Sequence, residues 1–461
     1  MTASVETERR SEITATLSEF LVGLQFNDLP DEAVEVGKIF TLECIGHMVN
    51  AHPQPVSRML VRYARDLGAT AQAAVLGGGF RTSVAEAAYV NGSLAHADEL
   101  ESYGTLPGSG LIPPIAAGLA VGEFRSRSGR DYLTALVAGV EMQGRLGTAG
   151  IGACDRGFMG ISLVGPAGAA VTAGRLYDLT AEQMRHALGT ALPLGNGSTR
   201  GCGSMAHVHE AGVPARTGVF AAQLAADGFT ACDNYLDGAY SWGEQFAAGG
   251  ARPYAEEKLT EGLGETLFLL TAGVAPKQYG SCGLTHQTIY GTIDILRAEG
   301  LRPDDIATVD LHVPAWADRI APYRDPISGE QAKFSIRHGV AGLLVEGIPE
   351  LPYTAAFTDE ASRDPRYVAA RERVRIHVDD SASVRAFADQ TVVVTLHDGR
   401  TITRVVPSLT ASLPSLDERV AMVERTLRRL PAENAKRLID VVLHLEDHDL
   451  AEVAELALGG G

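Results

Sequence analysis

The chain has 461 residues, 45% of them hydrophobic and 21% charged, an ordinary globular balance with length enough for two or three domains and a large core. Its 39 basic residues against 57 acidic ones leave a net charge of −18, an acidic surface that excludes nucleic acid as a partner yet leaves room for an anion in a locally basic pocket. Five cysteines (Cys44, Cys154, Cys202, Cys232, Cys282) without paired spacing exclude a disulfide frame or a zinc ribbon and read as reduced thiols.

The opening stretch, MTASVETERRSEITATLSEFL, lacks the apolar run of a signal peptide. Residues 12–25 place Ile13, Leu17, Phe20, Leu21 and Leu24 at helical spacing. Residues 31–49 continue the pattern with Val34, Ile39, Leu42 and Ile45. Further helices are predicted over 84–96, 110–124, 130–147 and 181–193. The most apolar run, Leu111 to Val121, is short and broken by Pro113 and Pro114, whereas a bilayer span needs about 20 apolar residues. A soluble, cytoplasmic protein with no membrane partner is expected. Glycine, at 51 residues, is abundant enough to let Ala/Gly-rich helices pack closely. Near residue 267 the texture changes. Residues 305–313 (DIATVDLHV), 373–378 (RVRIHV) and 391–397 (TVVVTLH) alternate and are rich in β-branched side chains, which predicts strands. Asp398-Gly399 after the last of these is a hairpin signal. Residues 416–458 return to helix. The fold class is therefore mainly α. It comprises a large helical domain over 1–266, an inserted smaller α+β domain over 267–407, and a helical return to the first domain over 408–461.

Three segments carry residues fit for chemistry. In NGSLAHADELESYGTLPGSG (91–110), a helix ending there puts His96 and Glu99 one turn apart on one face. Glu101 and Tyr103 follow on a Gly/Pro-rich loop. A carboxylate, an imidazole and a phenol suit acid–base work, and a solvated acidic helix end is the plainer alternative. In STRGCGSMAHVHEAG (198–212), His207 and His209 suggest a metal site, but no HExxH or CxxC pair completes a ligand set. The glycines of 195–203 lack the preceding strand and the Gly-Lys-Ser/Thr ending of a phosphate loop, and no G-x-S-x-G elbow is present. In KQYGSCGLTHQTIYGTIDIL (277–296), Lys277 and Tyr279 precede an amphipathic helix bearing His286. A lysine beside a helix N-terminus suits a carboxylate ligand; a surface charge and a packed core histidine are the alternative. On such a turn, Lys277 is expected to contribute little to stability.

Together these segments resemble the MmgE/PrpD family along nearly the whole chain, a family that includes 2-methylcitrate dehydratase, cis-aconitate decarboxylase and iminodisuccinate epimerase. NGSLAHADELE stands where the family has N-G-x-x-x-H-x-x-D-F-D-D. GVEMQGRLG (139–147) is similar to its E-x-x-x-R helix through Glu141 and Arg145, and residues 211–231 to its G-x-A-A-x-x-G…A-A-x-L-A-x-x-G-F-T segment. Lys277, Tyr279, Cys282 and His286 fit K-x-Y-P-x-C-x-x-x-H, and Phe334 and Ser335 fit F-S-x-x-Y.

The resemblance implies a helical domain with an inserted α+β domain, a homodimer, and a site between the domains. It implies catalysis on a small carboxylic acid with no metal and no organic cofactor. Carried over residue by residue, the catalytic positions are Glu99 (usually Asp), Tyr103 (often Thr), His207 (usually Lys) and Lys277 (retained). Tyr279 and His338 (usually Tyr) are substrate-binding candidates, as are Leu106 and Met159, which stand where the family has histidines. Arg200 restores one cation if its loop faces the pocket. The implied activity is that of a hydro-lyase working by proton abstraction beside a carboxylate, with isomerase/epimerase or decarboxylase as alternatives in the same family. A metal-dependent hydrolase built on His207, His209, His96 and a glutamate, or a non-catalytic binding protein, are alternatives outside it. A pocket with Leu106 and Met159 in place of histidines predicts a substrate with fewer than three carboxylates.

Overall fold

The computed structural model describes residues 13–104, 107–379, 388–407 and 414–459. Helices α1 (Ile13–Gly23), α2 (Asp31–Asn50) and α3 (Pro55–Asp66) open the chain. A small antiparallel sheet, β1 (Ala73–Val75) and β2 (Phe80–Thr82), leads into α4 (Val84–Ala97). The helical part continues with α5 (Ile112–Phe124), α6 (Gly129–Ala149), α7 (Gly160–Leu176), α8 (Ala181–Ala191) and α9 (His209–Ala226). Capping boxes start α6 at Ser128/Asp131 and α8 at Thr180/Gln183, each satisfying two backbone donors the helix leaves free. α7 packs against α5, α6 and α9 and has no polar face to present, because it is surrounded. α4 and α9 approach backbone to backbone. A Cβ on Gly92 would lie 3.0 Å from the Gly212 Cα, and one on Gly212 would lie 2.1 Å from Ser93 Oγ.

The second part begins with α10 (Gly283–Glu299), which stops on Gly300 at φ +62°, a left-handed cap that glycine adopts without strain. It continues with β3 (Ile306–Pro314), α11 (Ile336–Glu346), α12 (Pro365–Glu372), β4 (Val374–Asp379), β5 (Gln390–Leu396) and β6 (Thr401–Val406). The sheet order is β4-β3-β5-β6. β3 and β4 run parallel with Val309 opposite Val374; the other two pairs are antiparallel. The β5–β6 hairpin turns at Asp398-Gly399, where Gly399 sits at φ +88°. Gln390, Val392, Val394 and Leu396 alternate into the core, and α10 packs against β5 and β6.

The tail, α13 (Leu416–Thr426), α14 (Ala432–Leu443) and α15 (Leu450–Ala457), packs back on α2 and α5. One apolar core runs from Leu17 to Val274 and takes in Val423 to Ala457 from the tail. Two smaller cores lie chiefly between Tyr279 and Leu396. The fold is mainly α with a smaller α+β part, as the sequence implies. Among the described residues no helix is long and apolar enough to cross a membrane.

Candidate active site

The site is built on the reversal of the chain after α4. The helix ends at Ala97, and Glu99 takes φ +52°, the left-handed region that costs a side-chain-bearing residue about 1–2 kcal/mol. His96 and Glu99 therefore do not share a helix face; the turn itself swings Glu99 inward. Contacts on both sides of the strap hold it there. Asn50 and Gln54 donate to the Asp98 carboxylate. Lys333, from the α+β part, donates to the Ala97 carbonyl at 2.7 Å and to Gln54 Oε1 at 3.1 Å, placing a cation at the negative end of α4. Ser102 donates to Glu43 at 2.9 Å, and Arg419 on α13 grips the same carboxylate through two hydrogen bonds of 2.7 and 2.9 Å. Tyr103 pairs backbone to backbone with Ala275, which brings Lys277 alongside.

Five ionisable side chains meet here, all between 3% and 6% exposed: His96, Glu99, Glu101, His207 and Lys277. Lys277 Nζ lies 2.6 Å from Glu101 Oε1 and 3.2 Å from each Glu99 oxygen. His207, on the short turn before α9, places Nε2 3.5 Å from Glu99 Oε1, and the edge-on Phe334 ring is 4.8 Å from its own. His96 places Nδ1 3.4 Å from Glu101 Oε1, and its ring centroid lies 4.4 Å from that of His207. Cys202 Sγ is 3.9 Å from His207 Nδ1.

The charges explain one another. Burial works against the ionised form of Glu99, but Lys277 and His207 hold its pKa well below the usual carboxylate value. Burial and Glu99 both push Glu101 up, and Lys277 with His96 outweighs them, so it too is lowered. Burial opposes the Lys277 ammonium, and the two carboxylates raise its pKa nonetheless. For His96, burial is likewise overcome by Glu101, and its pKa rises above the ordinary histidine value. The expectation that Lys277 matters little to stability is thus corrected. It is buried, and it neutralises two buried carboxylates.

His96, Glu99 and His207 offer ligand atoms within 4.8 Å of one another, the makings of a two-histidine, one-carboxylate metal set. The Lys277 ammonium already stands against both oxygens of Glu99 and would repel a second cation there. Several polar atoms nevertheless lack hydrogen-bond partners among the described residues: both ring nitrogens of His96, Nε2 of His207 and Oε2 of Glu101. These atoms sit together in one cluster, and each needs a partner that the described residues do not supply.

Of the residues singled out in the sequence, His96, Glu99, Glu101, His207 and Lys277 come together. Tyr103 borders them, its ring 5.5 Å from Lys277 Nζ, its hydroxyl donating to the Gly283 carbonyl at 3.4 Å, and its pKa pushed well up by burial. Tyr103 and His286 also line a cleft of about 770 Å³ between α10, β6 and α13, with Tyr290, Arg297, Glu418 and Arg425 on its walls. The structure does not bring His338 to the cluster. Both its ring nitrogens are engaged inside the α+β core, Nε2 with the Ala356 carbonyl at 2.7 Å and Nδ1 with Arg371 at 3.1 Å. Tyr279 is buried edge-on against His286 and Tyr290 in the same part. Arg200 is exposed on its turn. Met159, half-buried, caps α7 and packs on the α+β core. Leu106 lies outside the described residues. His209 turns away to accept or donate with the Tyr89 hydroxyl at 2.8 Å, so the H-x-H pair is split. Glu43 and Lys333, which hold the strap, carry no sequence signal, because their partners are hundreds of residues away.

Two family models match the chain: the MmgE/PrpD N-terminal domain over residues 15–254 and the MmgE/PrpD C-terminal domain over residues 279–430. Among curated proteins, the chain is 25% identical to a cis-aconitate decarboxylase of Aspergillus terreus, over 96% of this chain and 95% of that one. It is 27% identical to the cis-aconitate decarboxylase-like protein oryM of Aspergillus oryzae, over 96% of each. It is 25% identical to the cis-aconitate decarboxylase of Mus musculus, over 97% of this chain and 93% of that one.

Proposed function

Because the chain belongs to the MmgE/PrpD family, we propose that it is a lyase that removes a carboxylate from a small mono- or dicarboxylic acid as CO₂, by way of a carbanion-like intermediate, without a metal. The single observation that carries this reading is the buried Lys277 ammonium, set between two carboxylates beside two imidazoles. Lys277 stabilises the negative charge that spreads onto oxygen as the carbanion forms. Glu99 holds Lys277 and His207 in register, and His207 and Tyr103 bound the space in which protons move. Decarboxylation is the reaction named in the relatives, and their named substrate, cis-aconitate, has three carboxylates. In this chain Glu99 and Glu101 already neutralise Lys277, which leaves little positive charge for a trianion. That favours an acid with one or two carboxylates.

A side-by-side assay tests the proposal. Mono- and dicarboxylic acids are expected to release CO₂ with a kcat/KM well above that for cis-aconitate or 2-methylcitrate. A value for either tricarboxylate of about 10⁴ M⁻¹s⁻¹ or more would return the chain to the ordinary substrate range of its relatives. Dehydration is the second reading. It is favoured by the two imidazoles, each backed by its own carboxylate, since elimination of water needs both an acid and a base.

A further inference from the structure

The cluster contains one more ionisable group than the lyase reading uses, and its orientation gives it a task. His96 turns Nδ1 toward Glu101 Oε1 at 3.4 Å, an ion-pair distance, and both its ring nitrogens are buried without a hydrogen-bond partner among the described residues. Glu101 is itself fixed by Lys277 at 2.6 Å. In such an arrangement the carboxylate supports the charge on the imidazole, and Nε2, on the far side of the ring, is left to exchange a proton with a bound molecule.

A charge count asks for one protonated imidazole in the cluster. Glu99 and Glu101 supply two negative charges and Lys277 one positive, so the buried cluster is one positive charge short of neutral. The other carboxylates close by have cations of their own, Arg419 for Glu43 and Lys333 for Asp98, and the remaining titratable groups are uncharged. Burial raises the thiol of Cys282 to about 12 and that of Cys202 further still. Burial also raises the phenol of Tyr103 and lowers the imidazole of His286 to about 3, and it lowers His47. One imidazolium balances the site, and a second, 4.4 Å away, would repel it. Each imidazole has a carboxylate at its back, Glu101 for His96 and Glu99 for His207, but His207 Nδ1 lies against Cys202 Sγ at 3.9 Å, so His96 is the one whose far nitrogen is left to deliver a proton.

We propose that His96, oriented by Glu101, is the acid that protonates the carbanion in this chain. The proposal rests on the lyase reading and deepens it. As the C–C bond to the departing carboxylate breaks, CO₂ leaves and the bonding electron pair stays on the substrate carbon, partly delocalised onto oxygen beside Lys277. The proton on His96 Nε2 passes to that carbon, forming the new C–H bond and leaving His96 neutral. Water then returns a proton to His96. Atoms and charge balance with no further reactant.

The experiment compares wild type, His96→Gln and Glu101→Gln on the panel of carboxylic acids, with a pH profile of kcat and a histidine NMR titration of each protein. His96→Gln is expected to lower kcat at least 100-fold, within the usual range for removing a general acid, while KM changes less than about threefold. An acid must be protonated to act, so wild-type kcat falls as pH rises through the raised pKa of His96. Glu101→Gln removes the supporting charge, and both the alkaline limb and the His96 resonance are expected to titrate at least about one pH unit lower. An active wild type with His96→Gln within threefold of it, or an alkaline limb unmoved in Glu101→Gln, overturns the role of His96 alone. If His96→Gln does not fold, the Glu101→Gln limb and titration decide the matter. A wild type that releases CO₂ from none of the acids overturns the lyase reading itself, and the delivery step with it.

Discussion

At the scale of single residues, the site is defined by one lysine among carboxylates. Breaking a buried ion pair from one side leaves uncompensated charge and costs about 3–5 kcal/mol. Lys277→Met is therefore expected to abolish activity and also to lower the denaturant midpoint clearly. Lys277→Met combined with Glu101→Gln is expected to be more stable than Lys277→Met alone, because one of the stranded charges is gone. Denaturation of the three proteins measures the coupling, and a double variant no more stable than the single one would mean that the pair contributes nothing. Glu99, His207 and Lys277 were legible in the sequence from their segments and the family resemblance. The burial of Lys277 was not, because a lysine on a turn ahead of a helix is ordinarily exposed. The relation of His96 to Glu101 was also hidden. It depends on Glu99 entering the left-handed region, and no periodicity announces that for a glutamate.

At the scale of elements, the two imidazoles owe their 4.4 Å separation to the crossing of two helices. His96 sits in the last turn of α4, and His207 lies on the turn that leads into α9. Gly92 and Gly212 let these helices touch. Gly212→Val places atoms where Ser93 and the Tyr89 carbonyl already are and must push the helices apart, at a cost of about 1–3 kcal/mol or more. The expected outcome is a lower melting temperature with activity lost well below the new midpoint; full activity in a folded Gly212→Val protein would show that the crossing does not set the site. Most elements were readable from periodicity: α1, α2, α4, α5, α6 and α8 lie within a few residues of their predicted spans, as do β3, β4 and β5. α7 was not, since a buried helix with Pro166 inside it and no polar face gives periodicity nothing to detect. β1 and β2 are three residues each, too short to alternate convincingly.

At the scale of the whole molecule, α3 and α9 flank Tyr89, which contacts Tyr63 and His209, and from these two helices Met59, Tyr63, Val213 and Phe220 stand exposed. We propose that the chain is a homodimer through its helical part and that this apolar face takes part. Light scattering is expected to give twice the 48.7 kDa chain mass for the wild type and to move toward one chain for Phe220→Asp. A wild type of 48.7 kDa at micromolar concentration would refute the dimer. The strap around Glu99 has a different consequence, one of timing. On the ribosome the acidic residues emerge long before the cations that neutralise them: Glu99 and Glu101 precede Lys277 by 178 and 176 residues, and Glu43 precedes Arg419 by 376. Until then Glu99 and Glu101 lack the lysine, and Glu43 the arginine, that pair with them in the fold, and closing the helical part over them carries the desolvation cost of uncompensated charge. The sequence order of these partners therefore favours a nascent chain whose centre closes only after α13 has been made.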